Sequence, residues 1–395
     1  MNKHITLTLC VCLFYLCLNS QNNYFNDILH QIELNNIELK AFKSFKNSEK
    51  LKIKSSNNLS DPTVIGYFLP FSSQENSSNY TEFEVTQSFD FPSLYGARKE
   101  WINLKSEEFD IKYNELKQNV LLKANKLLVK VIYLRKIQEL QEKRHLKSKK
   151  VYHQVLELYN KEQIGILELN KVKIAWMQVK FQVKKTELEI NSLLKELSSL
   201  NGDKAITLDK SDYLDDYLID DFSSLWNSKL KKDASLQIYS SAENSSLQQI
   251  TVEKRASLPK ITLGYNNQGV SGNRVSGFLG GLTIPLWKHK NKVKAAKQYH
   301  QSLFENKSSK FSESQANYFH LYNKYSGLYK KYIEYKTTLT ELDSEKLLDK
   351  AYELGEISFI DYHHELDFYH KAIDEMLEME LELQLLKTEI YKHTL

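Results

Sequence analysis

The chain has 395 residues, with 54 Lys or Arg against 50 Asp or Glu, so its formal net charge is only +4. A charge this close to balance gives no sign of a nucleic-acid partner. Twelve glycines and five prolines are few for this length, while 26% of the residues are charged, and this composition favours long helices over loops and sheets.

The first twenty residues, 1–20, have the pattern of a secretory signal peptide. Lys3 precedes an almost uninterrupted apolar run over 5–18, after which the chain turns polar. The run is too short to cross a bilayer, which favours a cleaved signal over an amino-terminal anchor. All three cysteines lie in this segment, at positions 10, 12 and 17. We therefore expect no disulfide, thiolate metal site or Cys nucleophile in the mature chain, with lipidation of Cys17 as a disfavoured alternative because bulky residues precede it. No cofactor is expected either.

The remaining sequence repeats one plan. LYNKEQIGILEL at 158–169 is matched by AYELGEISFIDY at 351–362, and Tyr352 follows Tyr159 by 193 positions. A duplication of this length indicates two similar structural halves.

We predict the first half at 21–202 and the second at 226–395. The acidic connector between them, 203–225, is expected to be a solvated linker. A calcium loop is the alternative, but the connector lacks the glycine and spacing of an EF-hand.

Each half is predicted to contain a first helix, two strands, a long helix and a return helix. Alternation of apolar and polar residues predicts strands at 62–71, 80–92, 260–268 and 275–286. Apolar steps of three and four without proline predict long helices at 95–163 and 291–354 and return helices at 166–200 and 359–394. The basic run at 143–150 is expected to be a solvated helix face.

The strands have about the 9–11 residues that a tilted β-strand needs to cross a bilayer. Four strands alone leave open edges, and unpaired backbone groups in hydrocarbon cost several kcal/mol each. We therefore expect several copies of the chain to close one β-barrel, with the long helical hairpins forming a second tube.

The order of these segments resembles the TolC-type outer-membrane efflux proteins over 22–395. The motifs that carry the resemblance are VTQSFDFPSLYGARKE (85–100), LYNKEQIGILEL (158–169), LPKITLGY (258–265), GGLTIPLWKHKNKVKAA (280–296) and AYELGEISFIDY (351–362). FDFPSLYGARK is most similar to the heavy-metal efflux branch, which serves copper/silver or cobalt–zinc–cadmium systems.

The resemblance implies a homotrimer in the outer membrane of a Gram-negative bacterium. It implies a twelve-stranded β-barrel that continues into a twelve-helix α-barrel in the periplasm. It also implies a passive conduit for small substrates such as metal cations or drugs. The implied partners are a periplasmic adaptor (membrane fusion protein) and an inner-membrane pump of the RND or ABC type.

The resemblance further implies that the two repeated turns dock the adaptor. The residues carried over are Tyr159, Ile164, Gly165, Tyr352, Gly355, Ile357 and Ser358. The alternative is that these residues only close the helical hairpins. Glu162 stands where the second turn has Gly355, which leaves the geometry of the first turn open.

An acidic gate is the second feature that the resemblance implies. Asp361 matches an aspartate that narrows the lumen in some relatives, while the second such position falls on His364, beside Glu365. Three copies of a carboxylate in a narrow neck would attract cations. The alternative is that Asp361 is a helix N-terminal acid stabilised by the helix dipole.

His363, Asp367 and His370 are weak metal candidates because spacings of four and three place residues on one helix face. A closed site needs four ligands, so no bound structural metal is expected. Weak contact with a passing metal ion is the alternative.

The sequence contains no phosphate-binding loop, nucleophile elbow or His-Glu-x-x-His motif, so it is not expected to be an enzyme. Two other functions stay open: the outer-membrane conduit of a type I protein secretion system, and a soluble periplasmic coiled-coil adaptor. An adaptor usually has one helical hairpin between β-rich domains, whereas this chain is predicted to have two hairpins.

Overall fold

The structure is a computed structural model that describes residues 25–69, 80–208, 212–213, 217–270, 273–342 and 344–395. The predicted signal peptide and its cysteines lie outside these residues. Within them the chain is mainly α-helical and forms one four-stranded sheet, which confirms the predicted fold class.

The helices are α1 (25–35), α2 (Ile37–Ser55), α3 (Pro92–Asn160), α4 (Ile166–Leu200), α5 (Phe222–Lys232), α6 (Ala234–Ala256), α7 (Lys292–Glu341), α8 (Ser344–Glu353) and α9 (Phe359–Ile390). The strands are β1 (Thr63–Leu69), β2 (Tyr80–Phe89), β3 (Lys260–Val270) and β4 (Asn273–Thr283). A short 3₁₀ turn covers Lys392–Thr394. None of the helices in the described ranges is both long and apolar enough to cross a membrane.

Several boundaries differ from the sequence prediction by a few residues, and three differences have a bearing on the fold. Helix α3 begins at Pro92 instead of residue 95, because proline suits the first helical position, where its missing N–H has no partner to lose. Strand β4 ends at Thr283, before Pro285. The predicted helix 291–354 is two helices, α7 and α8, and no proline or glycine in the sequence marks the break.

The connector 203–225 is not simply a solvated linker, so that expectation is wrong in part. Leu208 is fully buried, and Tyr217 packs against a hydrophobic cluster of α7 and α9. Helix α5 already begins at Phe222. The sequence prediction weighed the acidic residues and overlooked the aromatic and apolar ones among them.

The sheet is antiparallel in the order β1-β2-β3-β4, so β1 and β4 are its two edges. Val85 of β2 pairs with Val64 and Tyr265, and Tyr265 pairs with Phe278 of β4. Directly opposed residues point to the same face of a sheet, so these four side chains share one apolar face. Phe278 is 93% exposed, so the described residues leave this face uncovered.

The opposite face is polar along the two central strands. Glu82 pairs with Gln268, and Glu84 pairs with Asn266. Asn266 donates to Glu82 at 2.5 Å, and Gln268 donates to the same carboxylate at 3.3 Å. The alternation of the two faces therefore follows the period of two seen in the sequence.

The chain divides into two compact units. One contains 1–40, 116–232 and 315–395, of which the structure describes the part from residue 25, and the other contains 41–115 and 233–314. Each unit draws on both sequence halves, so the compact units do not coincide with the predicted repeats.

A row of tyrosines forms the core of the first unit. Tyr318, Tyr325 and Tyr332 lie seven residues apart on α7 and are at most 5% exposed. Their hydroxyls donate to the Ile390 carbonyl at 3.0 Å, the Tyr217 carbonyl at 2.6 Å and Glu380 at 3.4 Å. A seven-residue spacing keeps one helix face, and a buried tyrosine needs such an acceptor for its hydroxyl.

Glu380 is a charged residue inside this core, with 5% exposure. Lys136 Nζ lies 3.0 Å from both carboxylate oxygens, and the Tyr217 hydroxyl donates a short hydrogen bond to one of them. Burial and the hydrogen bond to Glu380 raise the pKa of Tyr217. Burial also raises the pKa of Tyr332, to about 12. The phenols are therefore neutral donors at physiological pH and satisfy the buried carboxylate.

Candidate functional site

The helical turns α3–α4 and α8–α9 end their first helices in the same way. In the first turn, Gln163 N–H donates to the Leu158 carbonyl at 3.0 Å and Glu162 N–H donates to the Tyr159 carbonyl at 2.9 Å. This pair of bonds is a Schellman motif, which requires a left-handed residue after the helix. Glu162 supplies it, with φ of 58°.

The second turn repeats the arrangement 193 positions later. Glu356 N–H donates to the Ala351 carbonyl at 2.9 Å, and Gly355 N–H donates to the Tyr352 carbonyl at 3.1 Å. Gly355 has φ of 73°. The open question about the first turn is thereby answered, because Glu162 adopts the conformation of the matching glycine.

The return helices also begin at equivalent residues. Gly165 and Ser358 are their N-caps, both extended, with ψ of 160°. Ser358 Oγ accepts from Asp361 N–H at 3.2 Å and lies 2.6 Å from Asp361 Oδ2. Asp361 therefore lies in the first turn of α9 and takes part in its cap, as the alternative interpretation of this residue expects.

The two turns pack on one small apolar cluster. Val151 and Val155 of α3 and Leu169 and Val172 of α4 are buried there, and Ile164, Tyr352 and Phe359 pack against them. The Tyr352 ring stacks on Tyr362 with centroids 4.6 Å apart. The structure therefore brings the predicted residues of both turns into one region of the first unit.

The seven predicted docking residues divide by exposure. Ile164, Tyr352 and Ile357 are half-buried. The others, Tyr159, Gly165, Gly355 and Ser358, are exposed. Apart from its own chain neighbours, no described residue has an atom within 4 Å of a Cβ placed on Gly165 or Gly355, so the space beside these two positions is open.

Ion pairs between the halves fix the second turn. Lys147 of α3 binds two acids of α8, Glu345 at 2.9 Å and Asp349 at 2.5 Å. The buried Tyr362 hydroxyl donates to Asp349 Oδ1 at 2.8 Å. Burial and this hydrogen bond raise the pKa of Tyr362, which keeps its proton.

Arg144 of α3 forms another ion pair between the two halves, with Asp374 of α9. Its guanidinium donates to both carboxylate oxygens of Asp374, at 2.8 and 3.0 Å. The Arg144 side chain is 12% exposed and that of Lys147 is 25% exposed, so the expectation that the run 143–150 is a solvated face is wrong for these two residues. Sequence reasoning missed them because their partners lie about two hundred residues away; the only signal was the Glu345 and Asp349 pair at helical spacing.

A cavity of about 250 Å³ lies between α3, α4 and α9, and its lining includes His363, Asp367 and His370. Burial and the neighbouring Arg144 guanidinium lower the pKa of His370 to about 4, so its ring is neutral at physiological pH. Asp367 is paired with Lys371 at 2.7 Å. Among the described residues, no group of three or more His, Cys, Asp or Glu is arranged to hold a metal ion.

The remaining gate candidates lie on the exposed side of α9. The side chains of His364 and Glu365 are 84% and 56% exposed, and His364 Nδ1 lies 3.8 Å from Glu365 Oε1. Asp361 is exposed as well, apart from its cap contact with Ser358. All three side chains are therefore accessible within a single chain.

No protein-family model matches the chain, and no curated protein sequence matches it. Solved structures do. The chain is similar to CusC, studied for folding and transmembrane channel formation, with TM-score 0.77, 12% identity and coverage of 94% of this chain and 92% of that one. It is similar to the outer-membrane channel OprN, with TM-score 0.75, 12% identity and coverage of 93% and 89%.

The Campylobacter jejuni outer-membrane channel CmeC gives TM-score 0.73, 13% identity and coverage of 93% and 85%. The three scores are nearly equal, so they favour the shared architecture and no single branch. At this identity the likeness concerns the fold, and it extends over nearly the full length of each protein. The chain therefore has the protomer fold of the outer-membrane factor, or TolC-type, channels.

Proposed function

We propose that three copies of this chain form a channel in the outer membrane of a Gram-negative bacterium, with most of each chain in the periplasm. The observation that carries the proposal is the sheet, which has an uncovered apolar face and two edges, β1 and β4, that have no neighbouring strand in the described chain. Edges in hydrocarbon must be paired, and β4 of one copy can pair with β1 of the next to close a barrel.

The two faces of the sheet suit this arrangement. The apolar face, with Val64, Val85, Tyr265 and Phe278, would meet lipid. The polar face, with the Glu82 carboxylate and its amide partners, would line a water-filled lumen. Alternation of this kind is the pattern of membrane β-barrels.

Within this channel the two helical turns form the periplasmic end, where a periplasmic adaptor of an RND-type or ABC pump docks. The open positions at Gly165 and Gly355 and the exposed Ser358 support this role. Asp361, with His364 and Glu365, would line the neck of the passage, and three copies of the Asp361 carboxylate would favour cations. The channel is passive, and its cargo is a small substrate such as a metal cation or a drug.

Engineered disulfides test the closure of the barrel. All cysteines of the sequence lie in its first twenty residues, so Ile65→Cys in β1 combined with Leu279→Cys or Gly281→Cys in β4 creates isolated thiol pairs. We expect dimers and trimers on non-reducing gels of outer-membrane fractions, and only monomers from each single variant. A monomer in the soluble periplasm would contradict the channel and favour the adaptor alternative.

A deletion strain tests the cargo. Sensitivity to metals, dyes or detergents is expected, with rescue by the intact gene. Full tolerance combined with loss of a secreted protein would instead support the type I secretion alternative.

A further inference from the structure

The segment that follows β4 is strongly basic. Between residues 284 and 304 the sequence has no Asp or Glu, and it carries the lysines Lys288, Lys290, Lys292, Lys294 and Lys297. Three apolar residues lead into them: Ile284, Leu286 and Trp287, which are 62%, 66% and 79% exposed. We call residues 284–297 the basic–aromatic segment.

The lysines of this segment have no acidic partner among the described residues. All five are exposed, and none makes an ion pair there, although lysines elsewhere in the chain often do. Lys260, for example, lies 2.8 Å from Asp90, and Lys307 lies 2.8 Å from Glu243. The positive charge of these lysines is therefore not neutralised by an ion pair in the described part of the chain.

The fold makes this charge unfavourable. Lys292 and Lys294 occupy the first turn of α7, which contains no acid, although the positive end of the helix dipole favours anions there. The pKa of His289 is lowered, mainly by burial and further by the charges of Lys292 and Lys288. These charges lower the stability of the segment on its own. Their presence is explained if the segment binds an anion from outside the chain.

The matching segment of the first half differs. Residues 91–104 lie 193 positions before it and carry two basic residues, Arg98 and Lys99, followed by Glu100. Arg98 is bound to Asp90, directly before this segment, at 2.6 Å. Since the first half is balanced at this position, the architecture itself does not require the basic excess.

The position of the segment identifies the anion. Thr283, the last residue of β4, pairs with Lys260, the first residue of β3, so the segment leaves the sheet at its helix-connected end. If the sheet spans the membrane, as proposed above, this end lies at the membrane surface on the periplasmic side. Tryptophan is enriched at that depth. Each lysine near the surface strengthens binding to anionic lipids roughly fivefold.

We propose that the basic–aromatic segment binds the phosphate headgroups of anionic phospholipids in the periplasmic leaflet of the outer membrane. This inference rests on the proposed channel function, because only a membrane-inserted sheet brings the segment to that surface. Trp287 and the apolar residues before it enter the interface, while the lysines meet the headgroups.

Lipid quenching of the full chain, reconstituted in phosphatidylcholine bilayers, tests the proposal. A minor fraction of either brominated phosphatidylglycerol or brominated phosphatidylcholine is added, and the quenching of tryptophan fluorescence by the brominated lipid is measured. The part of the fluorescence that is absent in Trp287→Phe is assigned to Trp287. We expect phosphatidylglycerol to associate at least fivefold more strongly than phosphatidylcholine, and this ratio to fall with added salt.

Variants locate the effect. Replacing Lys288, Lys290, Lys292 and Lys294 with glutamine should bring the ratio close to one, whereas arginine at the same positions should preserve it. The matched control replaces four exposed lysines elsewhere, Lys171, Lys173, Lys330 and Lys331, with glutamine and should leave the ratio unchanged.

Two failures have different meanings. If the chain forms conducting trimers but shows no preference for phosphatidylglycerol, or keeps it in the glutamine variant, the lipid inference is wrong and the channel stands. If no trimer inserts into bilayers of any composition, the channel proposal itself is contradicted.

Discussion

Glu162 and Gly355 hold the same left-handed backbone conformation, with φ of 58° and 73°, at equivalent positions of the two helical turns. The two residues share no chemistry, yet each follows a helix and lets the next amide reach back to the last turn. The hydrogen bonds of the Schellman motif therefore hold the first turn in this conformation although the backbone of Glu162 is strained. A residue with a side chain costs about 1–2 kcal/mol in this conformation, whereas glycine does not.

Replacing Glu162 with glycine should therefore stabilise the first turn. We expect a gain of about 1 kcal/mol, because the relief of strain exceeds the extra chain entropy that glycine loses on folding. Gly355→Ala should cost about 1–2 kcal/mol for the opposite reason. Amide hydrogen exchange of the two turns measures both changes.

Glu157→Gly, at an exposed position inside α3, is the control. It should destabilise by about 1 kcal/mol, because glycine inside a helix has no strain to relieve. Equal effects of glycine at 157 and 162 would contradict the interpretation.

The buried pair Lys136 and Glu380 gives a second prediction. Lys136→Met removes the cation and leaves a carboxylate with 5% exposure uncompensated, which should cost about 3–5 kcal/mol. The midpoint of denaturant unfolding measures the loss. Lys324→Met is the matched control, since Lys324 and Glu382 lie 2.7 Å apart but are about half exposed. Lys324→Met should lower the free energy of unfolding by less than about 1 kcal/mol. A similar loss in both variants would show that burial of Glu380 does not make its pairing with Lys136 important.

Local features of this fold were predictable and distant ones were not. The alternation of Glu82 to Phe89 and the helical steps of α9 depend on neighbours in sequence, so the strands and hairpins follow from the pattern. The break between α7 and α8 leaves no such signal. The packing of Tyr217 also depends on residues about one hundred positions away, as its bond with Tyr325 illustrates.

The candidate site follows the same division. The matching of Tyr159 with Tyr352 revealed both turns, because the duplication is written in the sequence. The pairing of Arg144 with Asp374 could not be read, since a charge on a helix has the same local pattern whether it faces solvent or a partner helix. From the sequence, Asp361 is equally consistent with a gate residue and with a helix-capping residue, and only the structure shows its contact with Ser358.

His370 gives a pH-dependent prediction. Burial and Arg144 lower its folded pKa to about 4, below the ordinary value of 6.5, so the unfolded chain binds the proton more strongly. The stabilising effect is complete above about pH 6.5 and is lost as the pH falls toward 4. We expect a loss of the order of 2 kcal/mol over this window, reduced from the full shift because the ring is partly exposed.

Unfolding free energies of the native chain and His370→Gln, compared between pH 7 and 4, measure this contribution. The difference between the two proteins should shrink as the pH falls. His364→Gln, at a side chain that is 84% exposed, is the matched control. If the unfolding free energies of the native chain and of His370→Gln depend on pH with the same slope, protonation of His370 does not contribute to the loss of stability.

Asp361 permits an experiment that separates the gate from the cap. Asp361→Asn removes the charge but keeps an oxygen near Ser358, whereas Ser358→Ala removes the cap hydroxyl and keeps the charge. If the channel has an acidic neck, the ratio of cation to anion permeability in planar bilayers should fall several-fold in Asp361→Asn. Ser358→Ala should lower stability by about 1 kcal/mol and leave the permeability ratio unchanged.

The reverse pattern identifies Asp361 as a capping residue only. In that case Asp361→Asn would conduct with unaltered selectivity while both variants lose stability, because the carboxylate would act on the N-terminus of α9 and on no ion in the passage. Selectivity would then have to come from other carboxylates of the proposed lumen. Glu82→Gln on the polar face of the sheet is the next variant to measure, since three copies of its carboxylate would line the barrel.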